Sequence, residues 1–283
     1  MRRRVLSVLS FLAPALAVAG GLAAAPRPAA AESIRVGGIY AVTFSGVPVG
    51  RATFSLVSEE GAYSIRIALK PAAVGKVVAA GNFRAESTGW LHEGRVLPTR
   101  FTLESVDTES ENRVEMHMAD GAVLRSEAEP ALPEREARVP LTDVVMSGGI
   151  LDPVSAALVL VPAGGGNAPP KAACDGRLPI FDGWTRYDIR LSYRETEEVV
   201  LPTFEGQAVV CQARWVPVAG HIPGRKAVEF MKNNRRISVS YVPVGRSGLM
   251  VPYRIEMKTL YGTLMVAAED LKMTGPIMAS AAQ

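Results

Sequence analysis

The chain has 283 residues, 48% hydrophobic and 21% charged, with 31 basic against 28 acidic side chains. That composition supports a sizeable core, and charge of both signs spread along the chain excludes the concentrated basic surface that neutralises nucleic-acid phosphates. His92, His117 and His221 are scattered, none with a second His or Cys at metal spacing, which argues against zinc.

The first element is a leader. Met1-Arg2-Arg3-Arg4 places positive charge before an apolar run from Val5 to Ala25, and Ala29-Ala30-Ala31 then meets Glu32. This is the build of a cleavable signal peptide, residues 1–31, with cleavage expected between Ala31 and Glu32. Export to the periplasm follows, and only the uncleaved leader is expected to meet a membrane. Arg3-Arg4-Val5-Leu6 weakly matches a twin-arginine signal, but unfolded export is the simpler reading. No cysteine ends the run to take a lipid. Four basic residues, Arg2, Arg3, Arg4 and Arg27, leave with the leader, so the net charge of +3 becomes −1 in residues 32–283.

Those residues read as a single all-β domain. Apolar and polar residues alternate with period two in Ala52/Phe54/Leu56, Tyr63/Ile65/Ile67/Leu69, Phe101/Leu103 and Val114/Met116/Met118. Each is the pattern of a sheet wet on one side. The second half repeats it in Tyr187/Ile189/Leu191/Tyr193, Val209/Cys211/Ala213/Trp215, Ile237/Val239/Tyr241 and Val251/Tyr253/Ile255/Met257. Strands this numerous, joined by Gly, Pro and Asp-Gly turns, predict a large antiparallel meander. Curling into a barrel, spiral or half-open shell hides its apolar face, and a two-sheet sandwich satisfies the same pattern. The faces carrying Tyr63 to Leu69, Tyr187 to Leu191 and Trp215 are expected to converge on one interior.

Glu127 to Arg138 lacks periodicity and reads as a surface loop or lid. Asp152 then suits an N-cap and Pro153 a first helical position, and Val154 to Val161 is apolar almost all round before Pro162 and Gly164-Gly165-Gly166. One short buried helix, about ten residues long and too short to span a bilayer, is predicted here as a plug. Pro162 to Ala173 forms a second surface loop. A weaker helical turn is predicted from Pro223 through Met231.

Cys174 and Cys211 are the two cysteines, and in an oxidising compartment they are expected to form a structural disulfide. A Cys-x-x-Cys redox motif is absent. Asp175, Asp182 and Asp188 cluster in sequence as possible acid–base carboxylates. Turn chemistry explains them better: Asp175-Gly176 and Asp182-Gly183 suit tight turns, and Asp188 takes a solvent position between Tyr187 and Ile189. Gly-x-Ser-x-Gly, Ser-x-x-Lys, His-Glu-x-x-His and phosphate-loop motifs are missing, so no catalytic residue and no cofactor are expected.

Leu151-Asp152-Pro153-Val154-Ser155-Ala156, Cys174-Asp175-Gly176, Phe181-Asp182-Gly183 and Arg186-Tyr187-Asp188 resemble an exported Gram-negative family, domain of unknown function 3108. Tyr40 to Phe44 with Gly46 and Gly50, Val251 to Arg254, and Leu260 to Thr263 resemble it too. The resemblance implies a periplasmic antiparallel β-shell and carries no catalytic residue. By fold-level analogy it is similar in kind to periplasmic half-barrels that carry lipoproteins and to β-spirals that support the envelope. The expected function is therefore a non-enzymatic protein, acting as a monomer, that supports envelope integrity by binding an envelope protein or lipid. The alternatives are a carrier of a lipid or lipidated peptide on the concave face, and an envelope hydrolase.

Overall fold

Alternating side chains and two-residue turns generate the fold strand by strand. The computed structural model describes residues 33–72, 81–106, 110–162 and 171–275; the expected leader and its Ala31–Glu32 cleavage point lie outside them. The strands are β1 (Ser33–Phe44), β2 (Val47–Glu59), β3 (Ala62–Pro71), β4 (Asn82–His92), β5 (Arg95–Val106), β6 (Glu111–Ala119) and β7 (Ala122–Glu129) in the first half. A short β8 (Val159–Leu160) follows, then β9 (Gly176–Phe181), β10 (Arg186–Leu201), β11 (Phe204–Ala219), helix α1 (Lys226–Asn233), β12 (Ile237–Pro243), β13 (Leu249–Lys258) and β14 (Thr263–Thr274). Four hairpins turn on residue pairs with positive φ, Ser45-Gly46, Glu60-Gly61, Glu93-Gly94 and Asp120-Gly121, the geometry that matches strand twist.

The result is one antiparallel meander in the order β7-β6-β5-β4-β3-β2-β1-β14-β13-β12-β11-β10-β9, with β8 paired to β13. The first and last strands of the chain meet mid-sheet, β1 against β14 from Arg35–Thr274 to Phe44–Leu264. A sheet this wide curls, but its edge strands β7 and β9 do not pair, so it is a shell and not a closed barrel. The chain between them spans the gap. Gly149 and Ile150 N–H groups both donate to Gly121 O beside β7 at 2.9 Å, and Leu151 bridges β9 through Leu151 N–H to Pro179 O (2.8 Å) and Phe181 N–H to Leu151 O (3.0 Å).

β1 to β6 alternate buried and exposed residues as a one-sided sheet does. The second half differs: Ala208, Val209, Val210 and Cys211 are all buried, so β11 is covered on both faces. Val209 and Cys211 pack with Cys174, Ala173, Tyr241 and Met250, and Met231 of α1 closes that layer. Ala208 joins the main core instead, with Leu56, Ile65, Phe101, Met116 and Leu271. The single interior expected for Tyr63 to Leu69 and Tyr187 to Trp215 is thus divided, because α1 and the Lys171–Cys174 turn give the second half a cover of its own. Ile255 faces solvent at 36% exposure. The helix near Pro223 to Met231 is present as α1.

The Asp152 to Val161 segment is buried as expected but is not a helix. It makes one 3-10 turn, Ser155–Ala157, extends at Leu158 and becomes β8, with Leu160 opposite Leu249 and Val159 opposite Met250. An isolated ten-residue helix is marginal, and by extending, β-branched Val159 gains a ladder partner on β13 while Val161 N–H donates to Gly248 O just before it. The segment joins three apolar clusters: Ile150, Val154 and Leu158 enter the main core, Val161 the disulfide cluster, and Leu151 with Ala156 a third cluster around Ile180. Among the described residues no helix is long and apolar enough to cross a membrane.

Candidate functional site

The plug segment carries a fully buried carboxyl group, Asp152. Asp152 is fully buried, as are Ser87 of β4 and Ser155, while Tyr63 of β3 is 3% exposed. Asp152 Oδ1 accepts the N–H groups of Val154 (2.8 Å) and Ser155 (2.9 Å), which is its expected capping role on a shorter turn. Its Oδ2 lies 2.8 Å from Ser87 Oγ and 2.5 Å from Ser155 Oγ. Ser155 Oγ is also 2.7 Å from Ser87 Oγ and 2.8 Å from Tyr63 Oη. Burial pushes the Asp152 carboxyl above its ordinary range, against the pull of hydrogen bonds from Ser155, Ser87 and Val154. The quartet is buried, and its hydrogen bonds bind the plug to β3 and β4.

The solvent-facing space lies beside it. A cleft of about 310 Å3 is floored by Val96, Leu158 and Leu178 and rimmed by Arg95, Asp120 and Arg177. A second, of about 360 Å3, shares Gly94 and Leu160 with the first and reaches Ile34, His92 and Ser247. Both are open to solvent at the end of the shell where the β2–β3, β4–β5 and β6–β7 turns sit. A third cleft on the outer face of β4 to β6 has alternating Arg84, Glu86, Arg100, Glu104, Arg113 and Glu115. There Arg100, and after it His117, hold the Glu115 carboxyl below its ordinary range.

The predicted residues do not converge. Cys174 and Cys211 are bridged, with Cα atoms 5.2 Å apart, the one pairing brought together as expected. Asp175 is exposed where the Lys171–Cys174 turn enters β9, and Gly176 begins that strand without positive φ, so this pair is a strand entry and not a tight turn. Asp182 does form its turn, accepting from Trp184 N–H (2.9 Å) and Thr185 N–H (2.6 Å). Gly183 at φ +100° leaves no room for a side chain, since a Cβ would lie 2.7 Å from Val114 of β6. Asp188 was expected in solvent and is 4% exposed, because Arg186 crosses beneath it: Arg186 Nη1 donates to Asp188 Oδ1 at 2.8 Å and Nε to Val145 O at 3.2 Å. Arg177 Nη1 reaches the other oxygen at 3.3 Å. Pro153 is half-buried in the turn.

The Glu127 to Arg138 stretch is strand to Glu129 and then a strap, held by Trp184 Nε1 donating to Pro130 O and Arg138 Nη1 to Gly220 O. Most of the second loop, 163–170, lies outside the described residues. Among those described, no three His, Cys, Asp or Glu side chains come together as a metal site. Tyr63 was read from the sequence as an inward residue but not as a partner of Asp152, and Ser87 was missed. The only trace of Ser87 was a polar side chain on an otherwise apolar or small inward face, Ala85-Ser87-Gly89 in β4.

A family model described as protein of unknown function (DUF3108) matches residues 39–269. The chain belongs to DUF3108. No curated protein matches it. Among solved structures, a β-barrel-like DUF1849 protein from Brucella abortus aligns over 86% of this chain and 98% of its own, with 9% identity and a TM-score of 0.42. A candidate lipoprotein from Parabacteroides distasonis aligns over 85% and 95%, with 9% identity and a TM-score of 0.31. The DUF3108 shell therefore has its plug, disulfide and rim cleft all inside the matched span.

Proposed function

We propose that this DUF3108 protein is exported to the periplasm and supports the cell envelope by binding another envelope component, without catalysis. The adjoining open clefts at the turn rim carry this reading, since an apolar floor with a few charged groups around it is how binding sites are built. The reading also rests on where the carboxylates go: Asp152 caps a buried turn, Asp182 a hairpin, and Asp188 pairs with Arg186 and Arg177. The disulfide suits an oxidising compartment.

A deletion strain complemented with Leu97→Glu, whose side chain lines the cleft, tests it: loss of envelope integrity with normal protein levels supports binding through the rim, and full complementation overturns it. N-terminal sequencing of periplasmic material checks export. The mature chain is expected to begin at or within a few residues of Glu32, and retained Met1 defeats cleavage. The apolar floor favours one second reading, a lipid carrier. Organic extraction and mass spectrometry of the purified protein, with displacement of a fluorescent fatty acid, decides between lipid and protein partners.

A further inference from the structure

The hydroxyls around Asp152 do not supply enough hydrogens for a carboxylate. Asp152 Oδ2, Ser87 Oγ and Ser155 Oγ form a triangle with sides of 2.8, 2.7 and 2.5 Å, and Tyr63 Oη adds a fourth contact to Ser155 at 2.8 Å. Three hydroxyl groups bring three hydrogens to these four oxygen–oxygen contacts. With an ionised Asp152, one side of the triangle would press two buried oxygens together with nothing between them. Adding a proton on Oδ2 makes the count complete: the carboxyl donates to one serine, that serine to the other, the second serine back to Oδ2, and Tyr63 donates to Ser155. Each side of the triangle then holds one hydrogen, with Tyr63 facing both Ser155 and Ser87, and a closed chain of donors is the arrangement in which hydrogen bonds reinforce one another.

We propose that Asp152 is a neutral carboxylic acid in the folded protein at neutral pH, and that its proton latches the plug segment to β3 and β4. The surroundings agree. Its burial disfavours charge, and no cationic side chain acts on it. The titratable groups facing it are Tyr63 of β3 and Tyr187 of β10, both acids whose own phenols burial pushes up. Arg84 and Glu86 of β4 point to the outer face, β5 and β9 offer Val96 and Ile180, and Arg177 and Arg186 are occupied by Asp188. Because Leu151, Leu158 and Val159 of the latched segment line the rim cleft, the proton state of Asp152 reaches the surface through them.

An acid raised on folding stabilises the fold fully below its unfolded pKa, about 4, and that contribution is lost as pH rises through the folded value. Asp152→Asn keeps the Oδ1 acceptor and places N–H donors at the second position. The folding constant of wild type relative to Asp152→Asn is expected to fall about tenfold per pH unit above pH about 4 until the folded pKa is reached. A flat ratio across that range overturns the proposal. On wild type itself, difference infrared spectroscopy with 13C-labelled aspartate is expected to show a protonated carboxyl band at neutral pH. Absence of that band overturns the proposal even if the variant fails to fold.

Discussion

Arg186 shows how a single buried charge is made tolerable. Its guanidinium is 5% exposed and meets Asp188, Val145 O and Tyr187 O, so both charges of the pair keep hydrogen bonds after losing water. Removing Asp188 strands Arg186, and removing Arg186 leaves Asp188 only its longer contact to the exposed Arg177. Arg186→Met is expected to cost about 3–5 kcal/mol, and Arg186→Met with Asp188→Leu less than either change alone, because no uncompensated charge remains. Urea midpoints of the three variants check this; additive losses would mean that the pair is not coupled. Gly183 is as exacting for a different reason. Gly183→Ala sets a Cβ 2.7 Å from Val114 in a left-handed conformation, and a loss of about 1–3 kcal/mol is expected from strain and displaced packing, read from the same midpoints.

At the scale of elements, the disulfide and the strand pairing stabilise different things. Cys174 and Cys211 are 37 residues apart and close a loop that contains β9 and β10. Replacing both by serine is expected to lose about 4 kcal/mol on the chain-entropy account, a fall in melting temperature on the order of 10 °C. Far-ultraviolet circular dichroism should keep its β signature, since β10 and β11 remain paired from Arg186–Ala219 to Leu201–Phe204. The same scale explains the misread plug. Asp152, Pro153 and an apolar run favour a helix start locally, but β13 offers Leu249 and Met250 as strand partners to Leu160 and Val159, and a ladder formed in a sheet outweighs a short helix with no external support.

For the whole molecule, the seam between β7 and β9 is the weak line. Every other strand boundary on the path is a ladder, whereas this gap is spanned by the connecting chain, chiefly residues 149–151 through bonds to Gly121, Pro179 and Phe181, with Met146 O accepting from Val123 N–H and Val145 O from Arg186. Leu151→Pro removes the N–H that reaches Pro179 O. Hydrogen exchange is expected to accelerate at β7 and β9 together while β1, β2 and β14 keep their protection. Uniform acceleration across the sheet would show that the seam does not open as a local unit.

The strands, the disulfide partners, α1 and the family were legible in residues 33–275 because they rest on local periodicity, cysteine count and short motifs, which need no knowledge of the partner surface. Tyr63/Ile65 and Val114/Met116 face inward in the structure as their alternation requires. What alternation does not encode is which face closes against which. An inward residue has the same spacing whether it meets a plug, a second cover or a cavity, so β11 buried on both faces, Asp188 buried under Arg186, and Ser87 turned toward Asp152 were all decided by tertiary packing. Bridging the two edge strands by the connecting chain in place of a ladder is likewise a long-range outcome: Gly121 and Ile180 are far apart in sequence, and only the curl of the finished sheet brings both to the chain at Gly149 to Leu151.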